Sequence, residues 1–190
     1  MSKIRVGFGL CGSFCNFSQV IEQIILLVEN KYEVLPIMSK NASSINTRFG
    51  KAKDIVQKIE RITSKKILSR LTEVEPIGPK RMVDIMVIAP CTGNTLSKIS
   101  NGISNTSVSL AAKSHLRVGR PVLIALATND GLGASGQNIG KMLNTKNIYF
   151  VPMHQDDPTD KPNSLVARFG LLEASIKSAI RGKQIQPVFT

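Results

Sequence analysis

The sequence predicts an α/β protein, a doubly wound parallel sheet with helices on both faces in three layers. Three observations carry that prediction. Short β-branched apolar runs recur along the chain, helical stretches separate them, and small or polar residues gather where the apolar runs stop. A strand covered on both faces reads as a continuous apolar run, and a βαβα order calls for parallel strands joined by right-handed crossovers.

The elements follow in order. Ile4 to Leu10 reads as the first strand. Phe17 to Asn30 carries Val20, Ile21, Ile24, Ile25, Leu27 and Val28. That stripe is too broad for a surface helix, so the helix packs on the sheet. Tyr32 to Met38 is the second strand, and Asn41 to Leu71 is mostly helical and polar-faced, with breaks near Gly50 and Thr63-Ser64. Glu73 to Lys80, with Pro76 and Pro79 around Gly78, reads as a loop. Val83 to Ala89 is the third strand and stops at Pro90. Thr95 to Ser100 and Ser107 to Leu116 are short helices around Asn101-Gly102. Pro121 to Ala127 is the fourth strand, Ser135 to Leu143 a helix, Ile148 to Pro152 the fifth strand, and Ser164 to Arg181 a final helix. No internal repeat or low-complexity tract is visible, and residues 1–190 read as one domain.

Composition narrows the function classes. Hydrophobic residues make up 42% of the 190, yet no run approaches the roughly 18 apolar residues of a membrane span. The opening apolar stretch is broken by Gly7, Gly9 and Gly12, so it reads as a strand rather than a signal peptide. Three cysteines without such a peptide suggest a reducing cytoplasm and no disulfide framework. The net charge is +12, and Lys51, Lys53, Lys58, Arg61, Lys65, Lys66 and Arg70 crowd one segment against Asp54 and Glu60. Nucleic acid is the obvious partner of a basic chain, but single-strand binding needs aromatic platforms. Aromatics are only 5%, tryptophan is absent, and none lies between Phe49 and Tyr149, which argues against nucleic acid. The basic segment reads as a solvated helix face, or as a field for anionic substrates or an acidic partner.

The chemistry lies in the loops after the strands, where ligands of open α/β sheets collect. Gly7-Phe8-Gly9-Leu10-Cys11-Gly12 matches GxGxxG, but Gly7 and Gly9 fall within or at the end of the strand. The second strand ends Ile37-Met38-Ser39-Lys40, without the acidic residue a nicotinamide–adenine site places there. A hydroxyl beside a lysine suits a phosphate instead. The amides of Gly12, Ser13 and Phe14 open a helix and favour an anion, and Ser13 and Ser39 add hydroxyls. Asn94 and Thr95 lie at a helix mouth, placed to cap it or to bind the same ligand. As the bland alternative, Ser13, Asn94 and Thr95 are simple caps and Ser39 a turn residue.

Other candidates point less to chemistry. Cys11, Cys15 and Cys91 lack a metal-ligand spacing and read as small buried hydrophobes, so no metal is expected. His115 and His154 are the only histidines, and a Cys–His pair forms only if distant loops meet. The loop from His154 to Asn163 is long enough for a lid or a partner contact, or is simply solvated. Asn129 and Asp130 fall near the site, and no side chain is assigned as general acid or base.

The run Ala89-Pro90-Cys91-Thr92-Gly93-Asn94-Thr95, followed by Lys98-Ile99 and Asn101-Gly102-Ile103-Ser104-Asn105, resembles the flavoprotein superfamily of phosphopantothenoylcysteine decarboxylase and flavin prenyltransferase. The Gly12-Ser13 loop and Ser39 match as well, so the resemblance runs to about Leu132. It implies a Rossmann-like or flavodoxin-like homo-oligomer that binds FMN, or phosphate in its place. By that resemblance Gly12, Ser13 and Phe14 face the phosphate with Ser39. Thr92, Gly93, Asn94 and Thr95 line the phosphate and ribityl side, and Thr128 stands where the prenyltransferases have an arginine. The decarboxylases carry a catalytic histidine between the second and third strands. This chain has none from Ser39 to Asp84, which sets it apart from cysteine decarboxylation. Thr128 to Gly133 replaces their methionine-containing substrate loop, and the basic and aromatic residues that prenyl transfer needs in the fourth loop are missing.

With Gln155-Asp156-Asp157-Pro158 and Lys161 to Ala167 included, the chain is similar to the family of dipicolinate synthase B subunits of spore-forming bacteria. That similarity implies a mother-cell cytoplasmic protein acting with an A subunit that binds NADP, on a small dicarboxylate, dihydrodipicolinate, oxidised to dipicolinate. The competing expectation is a non-catalytic, anion-binding scaffold for the A subunit.

Overall fold

The structure is a computed structural model that describes residues 3–190. Five strands run parallel at its centre: Arg5–Leu10 (β1), Glu33–Met38 (β2), Ile85–Cys91 (β3), Val122–Thr128 (β4) and Ile148–Phe150 (β5). They pair in the order β2-β1-β3-β4-β5. The order reverses between β1 and β3, so their carboxyl ends frame the switch point at which a doubly wound sheet offers a crevice.

Side chains alternate across this sheet with the period of two that a strand imposes. Val6, Phe8 and Leu10 join Val87 and Ala125 in one apolar core, under the helices Phe17–Glu29 (α1), Ala52–Thr63 (α3) and Leu172–Ile180 (α8). Met86, Ile88, Ile124 and Leu126 form the second core, under Gly93–Ser100 (α5), Ser107–Arg117 (α6) and Gly136–Leu143 (α7). Two short helices, Lys40–Ser44 (α2) and Leu71–Val74 (α4), complete the set. Among the described residues no helix is long and apolar enough to cross a membrane.

Gly7 and Gly9 lie inside β1 and face the second core. A Cβ at Gly9 would come within 2.9 Å of the Met86 Cε and 3.0 Å of the Val108 Cγ1. These glycines make room for the Met86 side chain of β3 and for Val108 of α6, and lie inside the strand rather than in a phosphate loop.

Several elements differ from the sequence expectation. The segment expected to begin a helix at Ser164 opens instead as a strand, Leu165–Ala167 (β7), antiparallel to both β4 and Met153–His154 (β6). Helix α8 starts only at Leu172, after a 3-10 turn at Phe169–Leu171. The cause lies in β4, which overruns β5. Val122 to Ile124 pair with β5, while Ala127 and Thr128 have free ladder groups that Val166 and Leu165 meet. The fifth strand accordingly ends at Phe150 rather than Pro152. The segment read as a loop from Glu73 to Lys80 holds the end of α4 and a 3-10 turn, Glu75–Ile77.

β3 runs two residues further than expected, through Pro90 to Cys91. Its register with β4 shifts there, Ile88 facing Ile124 and Cys91 facing Leu126. Proline has no N–H for the ladder, and the bulge accommodates it. Both sheet edges are also closed. Leu68 bonds Pro36 and Met38 outside β2, each at 3.0 Å, and the Gln184 carboxamide bonds both the N–H and C=O of Phe150 outside β5, each at 2.7 Å.

Candidate functional site

Two adjoining clefts open at the carboxyl ends of β1, β2, β3 and β4. The first, about 600 Å³, is lined by Cys11, Gly12, Ser39 to Asn41, Ser69 to Leu71, Thr92, Asn94, Thr95, Lys98 and Asn105 to Ser107. The second, about 470 Å³, is lined by Gly12 to Asn16, Phe49, Thr92 to Asn94, Ala127 to Asp130, Asp156, Lys161 and Val166. Gly12, Thr92 and Asn94 belong to both and form the shared floor. The loops singled out in the sequence therefore do meet at one place.

The first loop is bound to the third, the Cys11 N–H donating to the Pro90 carbonyl at 3.2 Å. The Ser13 N–H is taken by the Cys11 carbonyl at 2.9 Å, and its hydroxyl accepts from the Asn16 carboxamide at 2.9 Å. The helical run opens as a single 3-10 turn, Phe14–Asn16, before α1 begins at Phe17. The Phe14 ring packs on Phe17, centroids 5.3 Å apart, and forms part of the wall of the second cleft.

Ser39 caps α2, its hydroxyl accepting from the Ala42 N–H at 3.3 Å, while its own N–H donates to the Leu10 carbonyl. The cap of α5 is Thr92, just ahead of the residues expected to cap it. Its hydroxyl accepts from the Thr95 N–H at 3.2 Å. The Thr95 hydroxyl is buried and donates to the Cys11 sulfur at 3.2 Å, so it points into the protein. Asn94 keeps an exposed side chain facing both clefts.

The fourth loop centres on Asp130. Its carboxylate accepts from the hydroxyls of Thr128 and Ser135, and those bonds, Thr128 first, hold it below the usual carboxylate range. It is ionised at neutral pH and packs against the first turn of α5, where the helix dipole favours a negative charge. Gly93 makes this contact possible, since a Cβ there would lie 2.6 Å from Ser135 Oγ, 2.7 Å from Thr128 Oγ1 and 3.0 Å from Asp130 Oδ1. The Thr128 hydroxyl is thus committed to Asp130, although the residue lines the second cleft.

Cys11 and Cys91 are buried, as expected, whereas Cys15 is exposed. Burial pushes the Cys11 thiol up to about 11 and the Cys91 thiol well above its ordinary range. Both stay protonated and inert. Among the described residues no three metal-ligating side chains come together. His115 lies near the end of α6, beside Arg120 and Asp84 before β4 and β3, far from the cysteines at the opposite end of the sheet. His154 sits on β6. The loop from 155 to 164 is the connection of the β6–β7 hairpin, and Asp156 and Lys161 of that loop line the second cleft.

A family model described as Flavoprotein matches residues 1–159. The chain belongs to the flavoprotein family. This flavoprotein is 45% identical over 184 residues to the dipicolinate synthase B subunit of Bacillus subtilis (strain 168), a match covering 97% of this chain and 92% of that protein. Its structure is similar to that of the dipicolinate synthase B subunit from Bacillus halodurans C, with a TM-score of 0.91, 44% identity, and coverage of 100% of this chain and 98% of the other. The fold is also that of the FMN-dependent cysteine decarboxylase SpaF, at TM-score 0.69 and 19% identity, covering 94% and 95% of the two chains. The flavodoxin-like fold expected of the family is therefore the one observed.

Sequence reasoning missed the far wall of the first cleft. Ser69, Arg70, Thr106 and Ser107 reach it from segments with no ligand motif, joined by Asn105 at the end of the family-like run. Only the cap pattern of Thr106 and Ser109 was readable locally.

Proposed function

We propose that this flavoprotein is the flavin-binding B component of a dipicolinate synthase, supporting oxidation of dihydrodipicolinate to dipicolinate in sporulation. The observation that carries the reading is the 45% identity to the Bacillus subtilis protein across 97% of the chain. An A subunit carrying NADP is the partner, the dicarboxylate is the substrate, and the mother-cell cytoplasm is the site of action. The 190 residues act as one domain within a homo-oligomer, a reading supported by a dodecameric FMN-dependent UbiX-like decarboxylase among the structural neighbours.

The residues present suit FMN. The first cleft has hydroxyls and carboxamides and no carboxylate in its lining, a donor set that fits a phosphate. Gly12 and Ser39 would hold the phosphate from the first cleft, and Ser13 and Phe14 would flank it from the second. Thr92, Gly93 and Asn94 would line the phosphate and ribityl side, with Thr95 bracing that wall through its bond to Cys11. Phe14 and Phe49 offer apolar surface in the second cleft for a ring system. Thr128 serves through Asp130, which it keeps ionised and in place. Bound flavin supplies hydride acceptance, while the protein contributes position, orientation and exclusion of water.

The test is to purify the chain with and without the A subunit and identify bound ligand by absorbance and mass. Flavin in the isolated chain, a change in flavin fluorescence on titration, and turnover only with both subunits are expected. Colourless protein that leaves flavin fluorescence unchanged overturns the cofactor, and normal turnover by the A subunit alone at all concentrations overturns the subunit role.

A second reading follows from the Thr128 hydroxyl being committed to Asp130 and from the lack of a histidine between Ser39 and Asp84. In it the chain is a non-catalytic scaffold whose Gly12–Ser13 loop binds phosphate or sulfate. It predicts that anion in crystals grown without flavin, with activity still requiring both subunits.

A further inference from the structure

The first cleft is larger and more cationic than a single phosphate group requires. Lys40 opens α2, Arg70 lies just before α4, and Lys98 stands on the second turn of α5. All three line the same cavity of about 600 Å³, with no Asp or Glu in its lining. Other basic side chains of this protein find carboxylates, as in Arg5–Asp84, Lys66–Glu60 and Lys177–Glu173. Among the described residues no carboxylate pairs with Lys40, Arg70 or Lys98. Lys40 and Arg70 are exposed and Lys98 half-buried, and together they give the cavity a positive field that favours an anion.

The neighbourhood holds these groups in place. Although the Arg70 charge adds to backbone hydrogen bonds in keeping Glu73 ionised, no carboxylate among the described residues forms an ion pair with any of the three. Glu73 is the acid nearest Arg70 in the chain, yet its carboxylate accepts from the backbone N–H groups of Ser69 and Arg70, at 2.9 and 3.0 Å. That contact fixes the loop that presents Arg70. The Lys98 ammonium donates to the Asn105 carboxamide at 2.9 Å, which orients it and leaves two of its three N–H donors for a ligand.

These groups come from other elements than the cofactor cradle, Arg70 from the turn before α4 and Lys98 and Asn105 from α5 and the loop after it, and they share the first cleft with Ser39. We propose that Arg70 and Lys98, oriented by Asn105 and assisted by Lys40, form an oxyanion subsite for a second small ligand beside the cofactor phosphate. The planar fork of an arginine matches the two oxygens of a carboxylate or a phosphate, and the ammonium of Lys98 adds a point charge. A cavity of this size admits a small molecule rather than a polymer. The inference rests on the cofactor reading only for the division of the cleft between two ligands.

Calorimetric titration of the full chain, with and without saturating FMN, tests this subsite with malonate and inorganic phosphate as probes. Saturable binding is expected, weakened about tenfold or more by Arg70→Gln and by Lys98→Gln, with Arg70→Lys between them and wild type. Melting temperature and FMN fluorescence titrations of these variants stay at the wild-type values. Preference for malonate assigns the oxyanion to a carboxylate ligand, and preference for phosphate to a phosphorylated one. The proposal is overturned if neither probe saturates, if both substitutions leave probe affinity unchanged, or if FMN displaces the probe completely. Probe binding that depends on Arg70 and Lys98 in a chain that takes no FMN would retain the subsite and remove only the cofactor.

Discussion

The Thr95 hydroxyl donates to the Cys11 sulfur at 3.2 Å, joining the third loop to the first beneath the floor of the two clefts. Together with the bond from the Cys11 N–H to the Pro90 carbonyl, it makes the two sides of the switch point one unit. A residue that looked like a ligand contact in the sequence is in fact a strut.

Burial rather than that bond sets the reactivity of the thiols, since the Thr95 hydroxyl lowers the Cys11 pKa and desolvation outweighs it. Cys11 and Cys91 are buried and their thiols pushed up, Cys11 to about 11, while Cys15 is exposed. Alkylation of the native protein with iodoacetamide at pH 8 is expected to modify Cys15 alone, and all three cysteines after denaturation. Intact mass and peptide mapping check it, and rapid native labelling of Cys11 would refute the packing described.

Gly93→Ala tests the contact between α5 and the fourth loop. Its new Cβ would overlap the Thr128 and Ser135 hydroxyls, which cannot retreat without releasing Asp130. Overpacking of this kind costs about 1–3 kcal/mol. Urea unfolding should show that loss, and FMN titration a weaker affinity.

His115 gives a pH dependence. It is fully buried, neither ring nitrogen makes a well-formed hydrogen bond, and burial, helped by Arg120, outweighs the backbone of Asp84 and Pro121 and lowers its pKa from 6.5 to about 4. The folded value lies below the unfolded one, so the unfolded chain takes up the proton first as pH falls. Stability is therefore full above about pH 6.5 and declines toward pH 4, by about 3 kcal/mol for a shift of this size. Asp84, Arg5 and Arg120 face the same region, and the Asp84 carboxylate is held down by its bonds to Arg5 against the cost of burial, so its own loss falls at lower pH. Urea midpoints between pH 7 and pH 4 should fall in the wild type and flatten in His115→Leu.

Gln184→Ala probes the sheet edge. The carboxamide pairs with the N–H and C=O of Phe150, both at 2.7 Å, and its removal leaves two backbone groups of β5 without partners. A loss of about 1–3 kcal/mol is expected. Hydrogen exchange at the Phe150 amide should quicken, while flavin binding at the far end of the strands stays unchanged.

The parallel sheet was legible because each of its strands is covered on both faces. Val6, Val87 and Ile124 are fully buried, and burial on both sides imposes a local, continuous apolar signal. The positions of Gly7 and Gly9 within β1 were legible for the same reason. β7 was not, since three residues at its strand, Leu165–Ala167, carry no pattern that distinguishes them from the start of a helix. What makes them a strand is the overhang of β4 past β5.

The site divides along the same line. The sequence by itself determined which loops carry hydroxyls, amides and glycines, and that these follow the strands, because residue type and short-range periodicity are local properties. Thr92, Asn94, Ser39 and Gly12 were found in this way, and all four line the first cleft. Only the tertiary structure decided which of their hydroxyls face a ligand and which are spent inside the protein, as Thr95 is on Cys11 and Thr128 on Asp130. It alone brought Arg70 to the same cleft as Lys98 and Asn105, because the turn before α4 and the α5 segment meet only after the crossovers around β1 and β3 have closed.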